Sequence, residues 1–209
     1  MEIITIVSKF LRNLFNQNTY VLKKDNSALI IDAGAELEDI KKAVAGCKVE
    51  AILMTHLHFD HIWNIEQYLA EFDCNVYVCK GAEDKFSDYK KNASSVMRNS
   101  IERKVDKSRI SYYEDSLKFD GFDIEVYFTP GHCKDCVCLK IENSLFSGDT
   151  IFAQSIGRTD IIDSDNNEMK ESLRLIEKID FDIYYPGHNE SATKQQAIKV
   201  INYYLNNYL

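Results

Sequence analysis

The 209-residue chain predicts an α/β (α+β) fold whose polar motifs gather at one edge of its sheets. Three observations lead there. Short apolar runs bounded by turn residues come in groups, as strands do. Stretches with apolar residues at helical spacing separate some of them. Each of four short polar motifs follows directly on an apolar run, which places it on a loop at a strand end.

In chain order, Glu2–Val7 and Thr19–Lys23 read as strands. Ala28–Ile31 is a third, closed by the turn signal Asp32-Ala33-Gly34. Glu36–Ala45 has helical spacing, with Leu37, Ile40 and Val44 on one face. Ala51–Met54 reads as a buried strand, followed by a helix over Ile62–Phe72 with Ile65, Tyr68, Leu69 and Phe72 inward. Asn75–Val78 is a strand, and the polar stretch Gly81–Lys107 holds one or two helices. Arg109–Tyr113 and Phe122–Phe128 are strands, and Val137–Ile141 with Ser144–Ser147 form a hairpin around Glu142-Asn143. Asp165 followed by Glu168 resembles a capping box opening a helix that buries Met169, Leu173 and Ile176. Asp182–Tyr185 is the last strand. Ala197–Tyr208 is the last helix, with Ile198, Ile201, Leu205 and Tyr208 at helical spacing.

All five histidines and both prolines lie in three motifs: Thr55-His56-Leu57-His58-Phe59-Asp60-His61, Thr129-Pro130-Gly131-His132 and Pro186-Gly187-His188. A carboxylate motif, Ser147-Gly148-Asp149-Thr150, stands between the last two. Histidine is the commonest metal-ligating side chain, and none is left for another task. His56 and His58, two apart in extended chain, point the same way. Asp60 and His61 continue into the following turn, so one segment offers two sets of ligands. Because these residues run from His56 to His188, a boundary between them would split the site. The expectation is therefore one domain over 1–209.

The net charge of -8, without a basic cluster, excludes a nucleic-acid surface and an anionic membrane as partners. Met1–Phe15 carries Glu2, Lys9 and Arg12 and no long apolar run, so neither a signal peptide nor a transmembrane helix is expected. The expected location is the cytoplasm, where the six cysteines remain thiols.

His-x-His-x-Asp-His, then Thr-Pro-Gly-His, Ser-Gly-Asp-Thr and Pro-Gly-His, in this order, resemble the metallo-β-lactamase-fold hydrolases. The likeness runs from Asn18-Thr19-Tyr20 through Asp32-Ala33-Gly34 to His188. It implies a four-layer αββα sandwich with a dinuclear site at a sheet edge. His56, His58 and His132 would hold one metal, and Asp60, His61 and His188 the other, with Asp149 bridging. Asp60 would also orient a metal-bridging hydroxide. The implied cofactors are two divalent metal ions, zinc first, with iron and manganese as alternatives that nitrogen and oxygen ligands also suit. The implied partner is a small-molecule substrate, and the chain would be a monomer or a small homo-oligomer.

Asp32 resembles the family's supporting aspartate, against the plainer reading of a turn residue. Ser155-Ile156-Gly157-Arg158-Thr159-Asp160 resembles a segment of small glyoxalase II-like proteins and of persulfide dioxygenases. Arg158 there either clamps a substrate carboxylate or pairs with Asp160. The Lys and Tyr with which full-length glyoxalase II grips glutathione are absent from this loop, and with one helix's worth of residues after His188 its long C-terminal helical domain is not expected. Cys133, Cys136 and Cys138 follow His132, and Cys133, Asp135 and Cys136 stand where the family commonly has Thr, Gly and Ser. Cys133-x-x-Cys136 reads as a redox pair, a metal site or buried thiols. Persulfide dioxygenases share a Cys at the Cys136 position. Trp63 either lines the pocket or packs beneath the helix. The resemblance implies thioester hydrolysis of the glyoxalase II type. The alternatives are a mononuclear iron persulfide dioxygenase, a lactone or ester hydrolase, and a non-enzymatic metal-binding sensor.

Overall fold

A computed structural model describes residues 1–8, 16–97 and 100–208. Parts of the Met1–Phe15 start and of the Gly81–Lys107 stretch, residues 9–15 and 98–99, lie outside the described residues. The chain divides into two compact units, Met1–Tyr113 with Lys118–Phe122, and Glu114–Leu117 with Asp123–Leu209.

The first unit is built on a six-stranded sheet of order β1-β2-β3-β4-β5-β6. Its strands are β1 (Glu2–Val7), β2 (Asn18–Lys24), β3 (Ser27–Ile31), β4 (Lys48–Leu53), β5 (Asn75–Val78) and β6 (Ile110–Tyr112). The first three strands pair antiparallel, and β3 to β6 run parallel. Parallel neighbours require crossovers. These are α1 (Leu37–Ala43), α2 (Ile65–Glu71) and a long connection whose described residues include three short 3-10 turns, Glu83–Phe86, Ser94–Val96 and Lys107–Arg109. Ile30, Ile40, Ile52, Ile65, Tyr68 and Val76 meet in a solvent-free core, which explains why β3 is buried along its whole length. Burying each such aliphatic chain is worth about 1.5–3 kcal/mol.

The second unit carries most of a six-stranded sheet of order β12-β11-β10-β9-β8-β7. The strands are β7 (Ser116–Phe119), β8 (Phe122–Phe128), β9 (Val137–Ile141), β10 (Ser144–Gly148), β11 (Ile183–Pro186) and β12 (Ala192–Thr193). A hairpin at Glu142, whose φ of 54° fits a tight turn, joins β9 to β10. The helix α3 (Asn166–Lys178) is the crossover to parallel β11, and α4 (Lys194–Asn207) follows β12. Met169, Leu173 and Ile176 of α3 pack with Leu145, Tyr184, Ala197 and Ile201. Both units thus have the α/β character expected. Among the described residues, no helix is long and apolar enough to cross a membrane.

Several expectations needed correction. The helix expected over Ile62–Phe72 begins at Ile65, because His61 O, the first acceptor of such a ladder, is taken by the Ala33 amide at 2.8 Å, and the Ile65 amide turns to Ile62 O at 3.2 Å instead. Among the described residues of Gly81–Lys107 there are 3-10 turns and no α-helix. The capping box is half-formed: Asp165 accepts from the Asn167 and Glu168 amides, but its own amide goes to Gly131 O. On α4 the buried face is Ala197, Val200 and Ile201, while Tyr208 is 64% exposed. The strands β7 and β12 were not anticipated; β7 alternates exposed and half-buried residues, and β12 is only two residues long.

Candidate metal centre

The strand β4 ends at Leu53, and the chain runs out through Met54 into Thr55-His56-Leu57-His58. Apolar Leu57 turns into the core, which sends His56 and His58 the other way. The His56 ring lies 4.6 Å from that of His58 and 4.0 Å from that of His61, centroid to centroid. Asp60 is buried beside them in sequence. The segment is pinned by backbone bonds from Phe59 N–H to Asn92 O and from Ala33 N–H to His61 O. Two histidines of this cluster are essentially free of solvent contact, an expensive arrangement for imidazoles unless their nitrogens are employed.

Asp32 employs two of them. Its backbone is left-handed at φ 62°, a conformation that costs a non-glycine residue about 1 kcal/mol. That fold-back brings the carboxylate under the histidine segment, where Thr55 donates from its amide (2.8 Å) and its hydroxyl (2.8 Å). His61 Nδ1–H donates to Asp32 Oδ2 at 2.7 Å. Because the Thr55 hydroxyl gives its proton to Asp32, its oxygen accepts from His56 Nδ1–H at 3.2 Å. Both imidazoles are thereby held as Nδ1–H tautomers, leaving Nε2 as the basic nitrogen suited to a metal.

The second unit repeats the logic. His132, Asp149 and His188 each follow a strand end, after β8, β10 and β11. His132 Nε2 lies 3.7 Å from Asp149 Oδ2, and His188 Nε2 lies 3.4 Å from the same oxygen. Both exceed a charge-assisted hydrogen bond of about 2.8 Å. Two tetrahedral ligands at ordinary zinc distances stand about 3.3–3.5 Å apart, so the spacing suits donors converging on an ion. His132 Nδ1–H is tied to Arg158 O at 2.9 Å, which again leaves Nε2 basic. Gly187 N–H bonds Gly148 O at 2.7 Å, linking the loops of Asp149 and His188. Gly157 is obligatory in this packing: a Cβ there would collide with the Asp149 carbonyl and the His132 ring. Gly34 does the corresponding service in the first unit, against the Gln17 side chain and Asp60 O.

Each unit thus gathers its own share of the expected residues: His56, His58, Asp60 and His61 with Asp32 in the first, His132, Asp149 and His188 in the second. The donor chemistry fits divalent metals, which proteins of this fold bind: imidazole nitrogens with tied partners and carboxylate oxygens. Arg158 is engaged bidentately with Asp160, at 2.8 and 3.0 Å, on the surface. That pairing holds the Asp160 carboxyl below its ordinary range. Trp63 is half-buried and stacks under the Arg103 guanidinium at 4.8 Å, with Phe59 and Ile101 beside it, so it packs in a small apolar cluster. Thr55, Gln17 and Asn64 are supporting residues that sequence reasoning passed over. Only Thr55, as the first residue of the histidine motif, carried any signal.

Comparison with known proteins agrees with this geometry. Residues 12–188 match the metallo-beta-lactamase superfamily. The chain is 32% identical over 196 residues to a protein of Methanocaldococcus jannaschii named "Probable metallo-hydrolase MJ0888", covering 84% of this chain and 89% of that one. It is 31% identical over 187 residues to a hydroxyacylglutathione hydrolase of Francisella tularensis subsp. novicida, covering 86% of this chain and 66% of the relative. The crystal structure of the BLEG-1 B3 metallo-beta-lactamase superposes with a TM-score of 0.87 at 28% identity, covering 99% of this chain and all of that one. The fold is accordingly the metallo-β-lactamase fold that the motifs implied. The chain belongs to the metallo-beta-lactamase superfamily and is a metallo-hydrolase of that family.

Proposed function

We propose that the two units act as one domain that hydrolyses thioesters with two divalent metal ions, zinc in the first instance. His56, His58 and His132 would hold one ion, Asp60, His61 and His188 the other, and Asp149 would bridge. The observation that carries the reading is the common pattern of tied imidazoles. His61 and His132 each have Nδ1 bonded to an oxygen, to Asp32 and to Arg158 O, and so direct Nε2 toward a ligand role. A bound divalent ion supplies Lewis acidity, polarising a carbonyl and lowering the pKa of water to about 7. The chain's own residues do the rest. Asp60, buried at the edge of the histidine segment, accepts a proton and orients the attacking water. The Asp32–Thr55 pair keeps the imidazoles from rotating. The thioester choice is supported by the hydroxyacylglutathione hydrolase relative and by the Gly157-Arg158-Thr159-Asp160 loop. The glutathione carrier itself is not part of the proposal, since the gripping Lys and Tyr are absent. A cytoplasmic, monomeric or small homo-oligomeric protein with a small-molecule substrate completes it.

A second reading has its own observation. The 28% identity to a B3 metallo-beta-lactamase over 99% of this chain supports lactam ring opening by the same groups. One assay separates the two. Metal-loaded protein is given S-lactoyl thioesters of several thiols, and a β-lactam, and release of thiol or loss of the ring is followed. Thioester turnover, lowered at least about 100-fold in kcat by Asp60→Ala, is the expected result. Full metal loading without thiol release would overturn the thioester reading, and ring opening in its place would establish the second.

A further inference from the structure

Cys133 and Cys136 lie side by side, Sγ to Sγ 3.1 Å, immediately after His132. Both are buried, and neither is joined to another cysteine. The backbone makes the approach: Cys136 N–H points to Cys133 O at 3.4 Å in a tight turn, and Thr129 N–H bonds Cys136 O at 2.9 Å. A turn of this kind keeps its end Cα atoms within about 7 Å, which overlaps the range a disulfide spans. Contact at 3.1 Å is closer than two non-bonded sulfurs sit comfortably, and a bond of about 2 Å is within reach of small side-chain rotations. The third thiol of the group is placed differently. Cys138 lies 3.5 Å from Thr129 Oγ1 and 3.8 Å from Ser147 O. Burial pushes its pKa up to about 12, and at these distances its partners are oxygens rather than a second sulfur.

We propose that Cys133 and Cys136 form a reversible dithiol–disulfide pair, oxidised by hydrogen peroxide, that restrains the loop carrying His132. Hydrogen peroxide is the fitting oxidant because it is about the size of water, as buried thiols require. One cysteine, as thiolate, attacks a peroxide oxygen; the O–O bond breaks, and a sulfenic acid and hydroxide form. The neighbouring thiolate then attacks the sulfenic sulfur and expels a second hydroxide. The two thiol protons end on these hydroxides. One peroxide is reduced to two waters by the two electrons that the sulfurs give up. A dithiol reductant reverses the step by exchange. The disulfide would close the turn that starts at Cys133, one residue from a ligand candidate. Its effect on His132 rests on the metal reading above, whereas the pairing of the sulfurs does not.

The test uses the full, metal-loaded chain, reduced, exposed to peroxide, then alkylated after unfolding and digested with trypsin. Cleavage after Lys134 separates the two cysteines, so the linked form appears as two joined peptides, lighter by two hydrogens than the separate pair. The expected result is that species, with Cys138 alkylated, lost again on reduction and also formed by Cys138→Ser. Cys133→Ser and Cys136→Ser should each lose the link, and the cysteine left behind should advance to sulfinic acid. Unlinked, alkylated Cys133 and Cys136 after peroxide would overturn the pairing, as would linkage through Cys138. Zinc retained against a chelator is the second readout. A reversible affinity shift on the order of tenfold supports the restraint on His132. A disulfide with unchanged zinc affinity would overturn that restraint while leaving the pair.

Discussion

Asp32 Oδ2 and His61 Nδ1 are joined at 2.7 Å with both side chains out of solvent. Through the Thr55 hydroxyl the same carboxylate also reaches His56. One aspartate therefore sets the tautomer of two candidate ligands. Asp32→Ala should lower metal affinity about 10–100-fold, measured by competition with a coloured chelator. Asp32→Asn should fall between the variant and the parent protein, since an amide oxygen still accepts from Thr55. An Asp32→Ala protein that is folded by circular dichroism yet binds metal like the parent would refute the role.

Gly157→Ala should damage the site with little effect on the rest of the second unit. The added methyl has to displace the Asp149 backbone or the His132 ring, and neither is a flexible chain end. The expected result is at least about a tenfold loss of metal affinity, because ligand displacement of an ångström matters more there than bulk packing. Titration calorimetry with zinc checks it, and unaltered binding would contradict the packing argument.

Asn64 closes the turn between the histidine segment and α2. Its side-chain amide donates to Gly34 O (3.1 Å) and Ala35 O (2.8 Å), carbonyls of the Asp32 turn. Tyr68 OH also bonds Ala35 O, so the orphan left by Asn64→Ala is chiefly Gly34 O. Loss of about 1–3 kcal/mol in urea unfolding is expected.

Alkaline stability should fall in two stages. Burial raises Cys74 to about 11 and Cys138 to about 12, from an ordinary 9.0. The folded state therefore keeps protons that the unfolded chain releases, and stability declines as pH rises from 9 toward those values. Each thiol contributes up to about 1.4 kcal/mol per pH unit in that window. Buried tyrosines, Tyr68 and Tyr113 among them, are also raised, and they add to the decline above pH 10. The Cys74→Ala, Cys138→Ala double variant should show a flatter profile between pH 9 and 10, by denaturant midpoints. An unchanged slope would contradict this assignment.

The sequence was most legible where local pattern and burial agree. The apolar run Ala28–Ile31 of β3 and the alternation of His56, Leu57 and His58 needed only local pattern to interpret, and each motif lies at a strand end as expected. Where tertiary hydrogen bonds override local preference, the reading failed. His61 spends its carbonyl on the Ala33 amide, and α2 starts late. Tyr208 continued a plausible stripe on α4 but lies outside the contact with α3. Gln17 was invisible: its amide sits 3.5 Å from Asp32 Oδ2, a long-range relation between isolated polar residues fifteen positions apart. Arg158 had two readings, and in the structure it is exposed and paired with Asp160.

The most direct measurement is the metal content of the purified protein by plasma mass spectrometry, with Asp149→Ala alongside. Two divalent ions per chain, chiefly zinc, are expected, and fewer in the variant. A single iron per chain, or a content that Asp149→Ala leaves unchanged, would contradict this.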